Sequence, residues 1–257
     1  MCRLLGVVSR TPSTLAAQLV AELPVFEALS VEHGHGWGIG WIDDGGGVDV
    51  RKEPTQASLS AGFASAVADT YTDTALLHLR QASPGMPLTL ANTHPFLADG
   101  LAFAHNGYAW PAETLDTLVA AADGPSPMGD TDSERYCSVV RARIHEVGAP
   151  AALRAAALRI TERARMTALN ALLLTPESLV AVAWWHAPTI RAQPDGEPER
   201  DYRLWYRVGP DRVVVASAGI PPTQDGTASD AGWQELPDRS VLEVRRGTLE
   251  VTVHAAA

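Results

Sequence analysis

The chain opens Met-Cys-Arg-Leu-Leu-Gly-Val-Val-Ser-Arg, which sets a cysteine at position 2 directly ahead of a short apolar run from Arg3 to Val8. That run is far shorter than the ~18–20 residues of a membrane span and has no small-residue cleavage site behind it, so it reads as neither anchor nor export signal. Bounded by the polar stretch Ser9 to Ser13, it suits a buried strand that leads into a helix near Thr14 to Leu29. Cys2 therefore stands at the head of a core strand.

Other strand-like runs follow at Trp37 to Ile42, Ala75 to Leu79 and Leu101 to Ala104, separated by turns such as Asp43 to Gly47 and Ser83 to Pro87. A helix is expected from Ser133, capped by Thr131 or Asp132 and ended at Gly148, because Cys137, Val140, Ile144 and Val147 recur at helical spacing. An alanine-rich helix over Ala149 to Arg165 comes next, then a hairpin of Leu169 to Thr175 and Leu179 to Trp185. Ala187 to Asp201, rich in Pro and charge, reads as a mobile surface loop within a sheet. Strands at Tyr202 to Val208, Arg212 to Ser217, Ser240 to Val244 and Thr248 to Val253 close the chain. Many hairpin-linked strands with grouped helices imply helices covering two packed sheets.

At 257 residues the chain fits one domain spanning residues 1–257. A net charge of −10 argues against nucleic acid or an anionic membrane surface as partner, since both require basic patches. The cysteines are Cys2 and Cys137, too few for a disulfide framework, and they fit a reducing compartment, so the cytoplasm is expected.

Four local patterns carry chemistry. Removal of Met1 would leave a free α-amine on the residue that bears the Cys2 thiol; the amine titrates near ~7.7–8.0 and the thiol near ~8.5, so base and nucleophile would share one residue. A buried structural cysteine is the alternative. In His78-Leu79-Arg80-Gln81-Ala82-Ser83-Pro84-Gly85, Arg80 ends a strand and could grip a carboxylate through two parallel hydrogen bonds, or form an ordinary surface ion pair. In Leu101-Ala102-Phe103-Ala104-His105-Asn106-Gly107 the strand is expected to stop at His-Asn-Gly, where the Asn106 amide and the Gly107 N–H could point at one oxyanion; Asn-Gly is equally a common hairpin turn. Asp132, in Gly129-Asp130-Thr131-Asp132-Ser133-Glu134, reads as a helix N-cap that could also bind an ammonium group. His78, His94 and His105 match no zinc spacing, so no metal and no cofactor are expected.

Taken in order, Met-Cys-Arg-Leu-Leu-Gly, His-Leu-Arg, His-Pro-Phe, His-Asn-Gly and Thr-Asp-Ser-Glu resemble the glutaminase domain of class II glutamine amidotransferases over roughly residues 1–147. The resemblance implies an α+β fold, a four-layer αββα sandwich of two mainly antiparallel sheets of the N-terminal-nucleophile hydrolase type. It further implies cleavage of a γ-glutamyl amide through a thioester on Cys2. Arg80 would hold the substrate α-carboxylate, Asp132 its α-ammonium, and Asn106 with Gly107 the oxyanion. Two departures stand out: His35, in His33-Gly34-His35-Gly36-Trp37-Gly38, replaces an aspartate expected to position a loop, and Ala218-Gly219-Ile220 replaces a Glu-Pro pair.

The chain ends before any synthetase domain, so the expected activity is γ-glutamyl amide hydrolysis on glutamine or a small conjugate, with Gly85-Met86-Pro87 similar to family members that act on a hercynylcysteine sulfoxide conjugate. A glutaminase subunit feeding ammonia to a separate synthetase, or a non-catalytic amino-acid-binding module that keeps Met1, are the competing expectations. Leaving-group specificity is expected from loops such as Ala187 to Asp201. Trp110 and Trp233 look exposed and could line an interface or a leaving-group pocket, though scattered aromatics are commonly core.

Overall fold

The computed structural model describes residues 1–192, 199–221 and 232–255. In chain order its strands are β1 (Arg3–Thr14), β2 (Trp37–Ile42), β3 (Val48–Glu53), β4 (Tyr71–Leu79), β5 (Phe96–Ala98), β6 (Leu101–Trp110), β7 (Arg165–Leu174), β8 (Ser178–Ala183), β9 (Leu204–Val208), β10 (Arg212–Ser217), β11 (Trp233–Leu236), β12 (Ser240–Arg245) and β13 (Val251–His254). The helices are α1 (Leu15–Gln18), α2 (Leu23–Leu29), α3 (Ala61–Asp69), α4 (Ala112–Ala121), α5 (Asp132–Val147), α6 (Ala149–Arg163) and α7 (Ala187–Arg191). A seven-stranded sheet has the order β11-β9-β10-β1-β4-β2-β3, and a six-stranded sheet the order β13-β12-β8-β7-β6-β5. The pairings recorded within both are antiparallel.

Alternation along β1 explains the layering. Leu4 and Val8 enter a buried cluster with Leu76 of the same sheet and Ala102, Ala104, Leu172 and Leu179 of the other. Leu5 and Val7 turn the opposite way, into a cluster with Phe26 and Phe63 from α2 and α3. On the far side of the six-stranded sheet, Phe103, Leu173 and Val182 pack on Leu115, Tyr136, Val140 and Ile160 of α4, α5 and α6. The result is the αββα order, with three apolar seams between four layers. At Gly6 a Cβ would lie 2.7 Å from Leu179 Cδ2, so glycine lets the two sheets approach here.

The expected helix from Thr14 to Leu29 is replaced by three pieces. β1 runs on to Thr14, with a register shift against β4 between Val8 and Ser13, and α1 and α2 are separate short helices. Pro24 lies in the first turn of α2, where its missing N–H costs nothing; inside one continuous helix it would delete a bond and clash with the preceding turn. The segment expected as a loop from Ala187 begins with α7, and its residues 193–198 lie outside the described ones. Residues 199–202 form a single 3-10 turn, so β9 starts at Leu204 and not at Tyr202. The β6 strand does not stop at Asn106-Gly107 but continues to Trp110, and the closing hairpin is β12 with β13.

No helix is long and apolar enough to cross a membrane among the described residues. Of the two tryptophans that look exposed in the sequence, Trp233 is buried beneath the Arg207 guanidinium at 4.8 Å, and Trp110 is half-buried and stacked on Tyr108 at 5.1 Å.

Candidate active site

The antiparallel pairing of β1 with β4 puts Arg3 opposite Leu79, so Cys2 and Arg80 sit side by side at one edge of the seven-stranded sheet. Both follow the alternation of Leu4 and of His78, whose side chains face the second sheet. His78 Nε2 donates to the His105 carbonyl of β6 at 3.2 Å, which locks the end of β4 over the middle of β6. Asn106, in phase with Ala102 and Ala104, faces the same interior. Cys2, Arg80 and Asn106 are thus gathered at one end of the seam between the sheets.

Cys2 is 8% exposed. Its Sγ accepts from the Gln81 N–H at 3.3 Å and lies 3.6 Å from the Gln81 carbonyl. Burial pushes the thiol up from its ordinary range; the positive chain terminus, the Gln81 N–H and Arg80 oppose that rise, and Asp132 adds to it. A neutral thiol at pH 7 needs a base before it can attack a carbonyl.

Arg80 is 2% exposed, and its guanidinium donates twice to the Pro87 carbonyl, at 3.2 Å from each terminal nitrogen. Asn92 Nδ2 donates to that same carbonyl, and Asn92 Oδ1 accepts from the Asp130 N–H at 2.9 Å. The Pro87 turn and the loop before α5 are thereby tied to Arg80. His35 supplies the local order on the other side: its N–H donates to the Arg80 carbonyl at 3.0 Å and its Nδ1 accepts from the Ala82 N–H at 3.0 Å. The histidine that stands where an aspartate is expected accepts a backbone N–H from the turn that holds the Cys2 sulfur.

Asn106 has no exposed surface, and neither its Oδ1 nor its Nδ2 has a hydrogen-bond partner in the protein. A buried amide left unpaired costs about 1–3 kcal/mol. Gly107 has φ 154°, and a Cβ there would lie 1.9 Å from the Ala168 carbonyl oxygen. The strand continues through a register shift between Gly107 and Ala109, and the Asn-Gly pair is a strand feature, not a hairpin turn.

Asp132 is not the N-cap. Thr131 caps α5 through its hydroxyl, which accepts from the Glu134 N–H at 3.1 Å, and Asp132 is the first helical residue. Its carboxylate is free of that duty and accepts from the Ala109 N–H of β6 at 2.8 Å, with His105 Nδ1 at 4.0 Å. Burial raises Asp132, while His105 and the Ala109 N–H oppose the rise.

The buried histidines are held by ring packing and by hydrogen bonds. His78 and His94 rings are 4.2 Å apart, His94 packs on Phe96 at 4.6 Å, and His105 donates from Nε2 to the Ala168 carbonyl at 3.1 Å, which leaves Nδ1 to accept from the Ser133 hydroxyl at 2.9 Å. No group of three or more His, Cys, Asp and Glu is arranged for a metal among the described residues. Desolvation lowers His33 to about 3 and His78 to about 3, and pushes His94 well down. A histidine whose folded value lies below its unfolded ~6.5 contributes stability that is complete above pH 6.5 and lost as the pH falls toward 3. Urea unfolding should therefore show stability falling between pH 6.5 and 5, by up to about 1.4 kcal/mol per pH unit for each such histidine. A flat profile over that interval would mean these rings charge without unfolding the protein.

The family model for glutamine amidotransferases class-II matches residues 1–256. This chain belongs to the class II glutamine amidotransferases. Among curated relatives of this amidotransferase, a protein named gamma-glutamyl-hercynylcysteine sulfoxide hydrolase from Mycobacterium tuberculosis is 27% identical over 263 residues, covering 98% of the chain and 96% of the relative. An uncharacterized Methanocaldococcus jannaschii protein is 36% identical over 140 residues, which span 52% of the chain and only 36% of that relative. A solved glutamine aminotransferase class-II domain protein from Silicibacter pomeroyi superposes with a TM-score of 0.67 at 17% identity, covering 100% of both chains, and shares the fold.

His35, marked in the sequence as a departure in a loop-positioning place, holds the turn at the candidate site, and Gln81 joins that site in a way no motif announces. The Gln81 contact uses backbone atoms, which carry no side-chain signal; its position directly after Arg80 is the one clue. A cavity of about 450 Å³ bounded by Leu101, Glu177 and Arg245 opens at the start of β6, five residues along the strand from Asn106, and none of the five candidate residues Cys2, Arg80, Asn106, Gly107 and Asp132 lines it.

Proposed function

We propose that this chain, acting over residues 1–257 as one unit, is an amidohydrolase that cleaves the γ-glutamyl amide bond of a small conjugate through a thioester on Cys2. The observation that carries the reading is the fully buried, unpaired Asn106 amide beside Gly107, at the same end of the inter-sheet seam as the Cys2 thiol. An amide with neither polar atom engaged is poised for a charge that develops only during reaction. The names of relatives that cover nearly the whole chain support a γ-glutamyl conjugate as substrate.

With Met1 removed, the Cys2 α-amine takes the thiol proton. The thiolate attacks the γ-carbonyl, a C–S bond forms, and the oxygen becomes an anion held by Asn106 Nδ2 and the Gly107 N–H. The C–N bond then breaks as the leaving nitrogen takes the proton from the α-ammonium. Water, deprotonated by the same amine, attacks the thioester; glutamate leaves and the sulfur recovers its proton. Arg80 binds the α-carboxylate and Asp132 the α-ammonium of the glutamyl group, so the zwitterion is gripped at both charges while its side chain reaches Cys2.

The test is glutamate release by the Met1-processed protein from glutamine and from a panel of γ-glutamyl amides. Asn106→Ala should lower kcat by about 10²–10³-fold with little change in KM, because the lost donor acts in the transition state. Preference for glutamine over every conjugate would favour an ammonia-donating subunit with a separate synthetase. Glutamate release that fails on all members would overturn the amidohydrolase reading.

A further inference from the structure

Met1 does not extend into solvent. Its side chain packs against a small apolar cluster of Ala168, Ile190 and Tyr202, with Trp185 packed on the same cluster. The cluster is built into the frame. Ala168 bridges to Trp185 beside β7, the Trp185 N–H donates to Asp238 Oδ1 at 3.0 Å, and Asn170 Nδ2 donates to the Tyr202 carbonyl. Ile190 is 1% exposed and Tyr202 3%. The Ala168 carbonyl is also the group that a Cβ on Gly107 would strike at 1.9 Å, so this wall adjoins the Gly107 amide.

The chemistry of the reaction says what belongs there. The leaving nitrogen takes its proton from the Cys2 α-amine, so it lies within hydrogen-bond reach of the very atom to which Met1 is bonded. The volume of Met1 is therefore next to the leaving group. Ammonia released from glutamine would gain nothing from an indole, a phenol ring and a branched aliphatic chain. An aromatic or apolar group on the amide nitrogen would bury surface against them.

Resting on the amidohydrolase reading above, we propose that the Ala168, Trp185, Ile190 and Tyr202 cluster is the leaving-group subsite, and that it selects γ-glutamyl amides of apolar or aromatic amines. Removal of Met1 then frees the base and opens the subsite in a single cleavage.

The experiment uses the full chain with Met1 removal verified by intact mass, completed with a methionine aminopeptidase where needed. Glutamate release is measured from γ-glutamyl methylamide and γ-glutamyl benzylamide. The benzylamide should exceed the methylamide in kcat/KM by about tenfold or more, the selectivity an apolar pocket supplies. Ile190→Trp, which fills the space, should collapse that ratio, and the volume-conserving Ile190→Leu should keep it. Free benzylamine should inhibit the unmodified protein in competition with the benzylamide, a measurement that needs no variant to fold. Equal rates on the two amides, or no inhibition by benzylamine, would overturn the subsite and leave the amidohydrolase standing. Absence of Cys2-dependent release from any amide would instead overturn the amidohydrolase itself.

Discussion

Replacing Cys2 by alanine in the Met1-processed protein should abolish γ-glutamyl hydrolysis, lowering kcat by at least ~10⁴-fold, the scale seen when a catalytic nucleophile is removed. The mechanism we propose runs through the Cys2 sulfur at both steps, as attacking atom and as acyl carrier. The other cysteine cannot substitute for it: Cys137 lies in the cluster between α5 and the six-stranded sheet, where burial pushes its thiol up to about 12. The fold should tolerate the change, since Cys2 stands just ahead of a strand whose register is set by Leu4, Leu5, Val7 and Val8, and truncating one small side chain costs about 1 kcal/mol. Initial rates of glutamate release check the first statement, and urea unfolding checks the second. Intact mass adds a positive signature, a glutamyl adduct that accumulates on the unmodified protein with a slowly hydrolysed amide and is absent from Cys2→Ala. Turnover that survives the substitution would remove Cys2 from the reaction.

The second large effect is expected at Gly107→Ala, and it is structural before it is catalytic. The new Cβ would fall 1.9 Å from the Ala168 oxygen and 2.5 Å from its carbonyl carbon, both backbone atoms of β7. Backbone cannot swing aside as a flexible side chain can, so the β6–β7 ladder must shift at its register break, and φ 154° is itself strained for alanine. We expect a loss of about 3 kcal/mol or more in unfolding free energy, combining overpacking with backbone strain. Gly100→Ala is the internal comparison: it also has positive φ, at 72°, but nothing lies within 4 Å of a Cβ there. That variant should lose only about 1–2 kcal/mol, the strain alone. Equal losses at the two positions would show that the contact with Ala168 is relieved at no cost. Where Gly107→Ala still folds, its kcat should fall with Asn106→Ala, because the displaced amide no longer meets the oxyanion.

Much of the architecture is legible in the chain because it is written in local periods. Alternation in Leu4 to Val8 and in Leu101 to Ala104 announces strands with two different faces, and Thr131 with the helical spacing of Cys137, Val140 and Ile144 marks α5 to within a residue. The errors fall where a local pattern supports two structures. Thr14 to Leu29 carries helical composition but contains Pro24, and the strand before it outlasts its apolar run because pairing with β4 resumes at Ser13 and Thr14. Asn106-Gly107 has the composition of a turn, and only pairing with β7 on the neighbouring side keeps it in a strand.

The candidate site divides in the same way. The order of the motifs, the cysteine after Met1, the arginine at a strand end and the buried strand before Asn106 are properties of the sequence, since each depends on a residue and its near neighbours. That Cys2 lies beside Gln81 and Arg80, that His35 holds the turn between them, and that Asp132 turns from capping its own helix to accept the Ala109 N–H are decisions of the tertiary structure. The physical reason is separation along the chain: the Cys2 and Gln81 partners are 79 residues apart, and their meeting is fixed by antiparallel register and by the packing of one sheet on the other, neither of which leaves a mark on either residue alone.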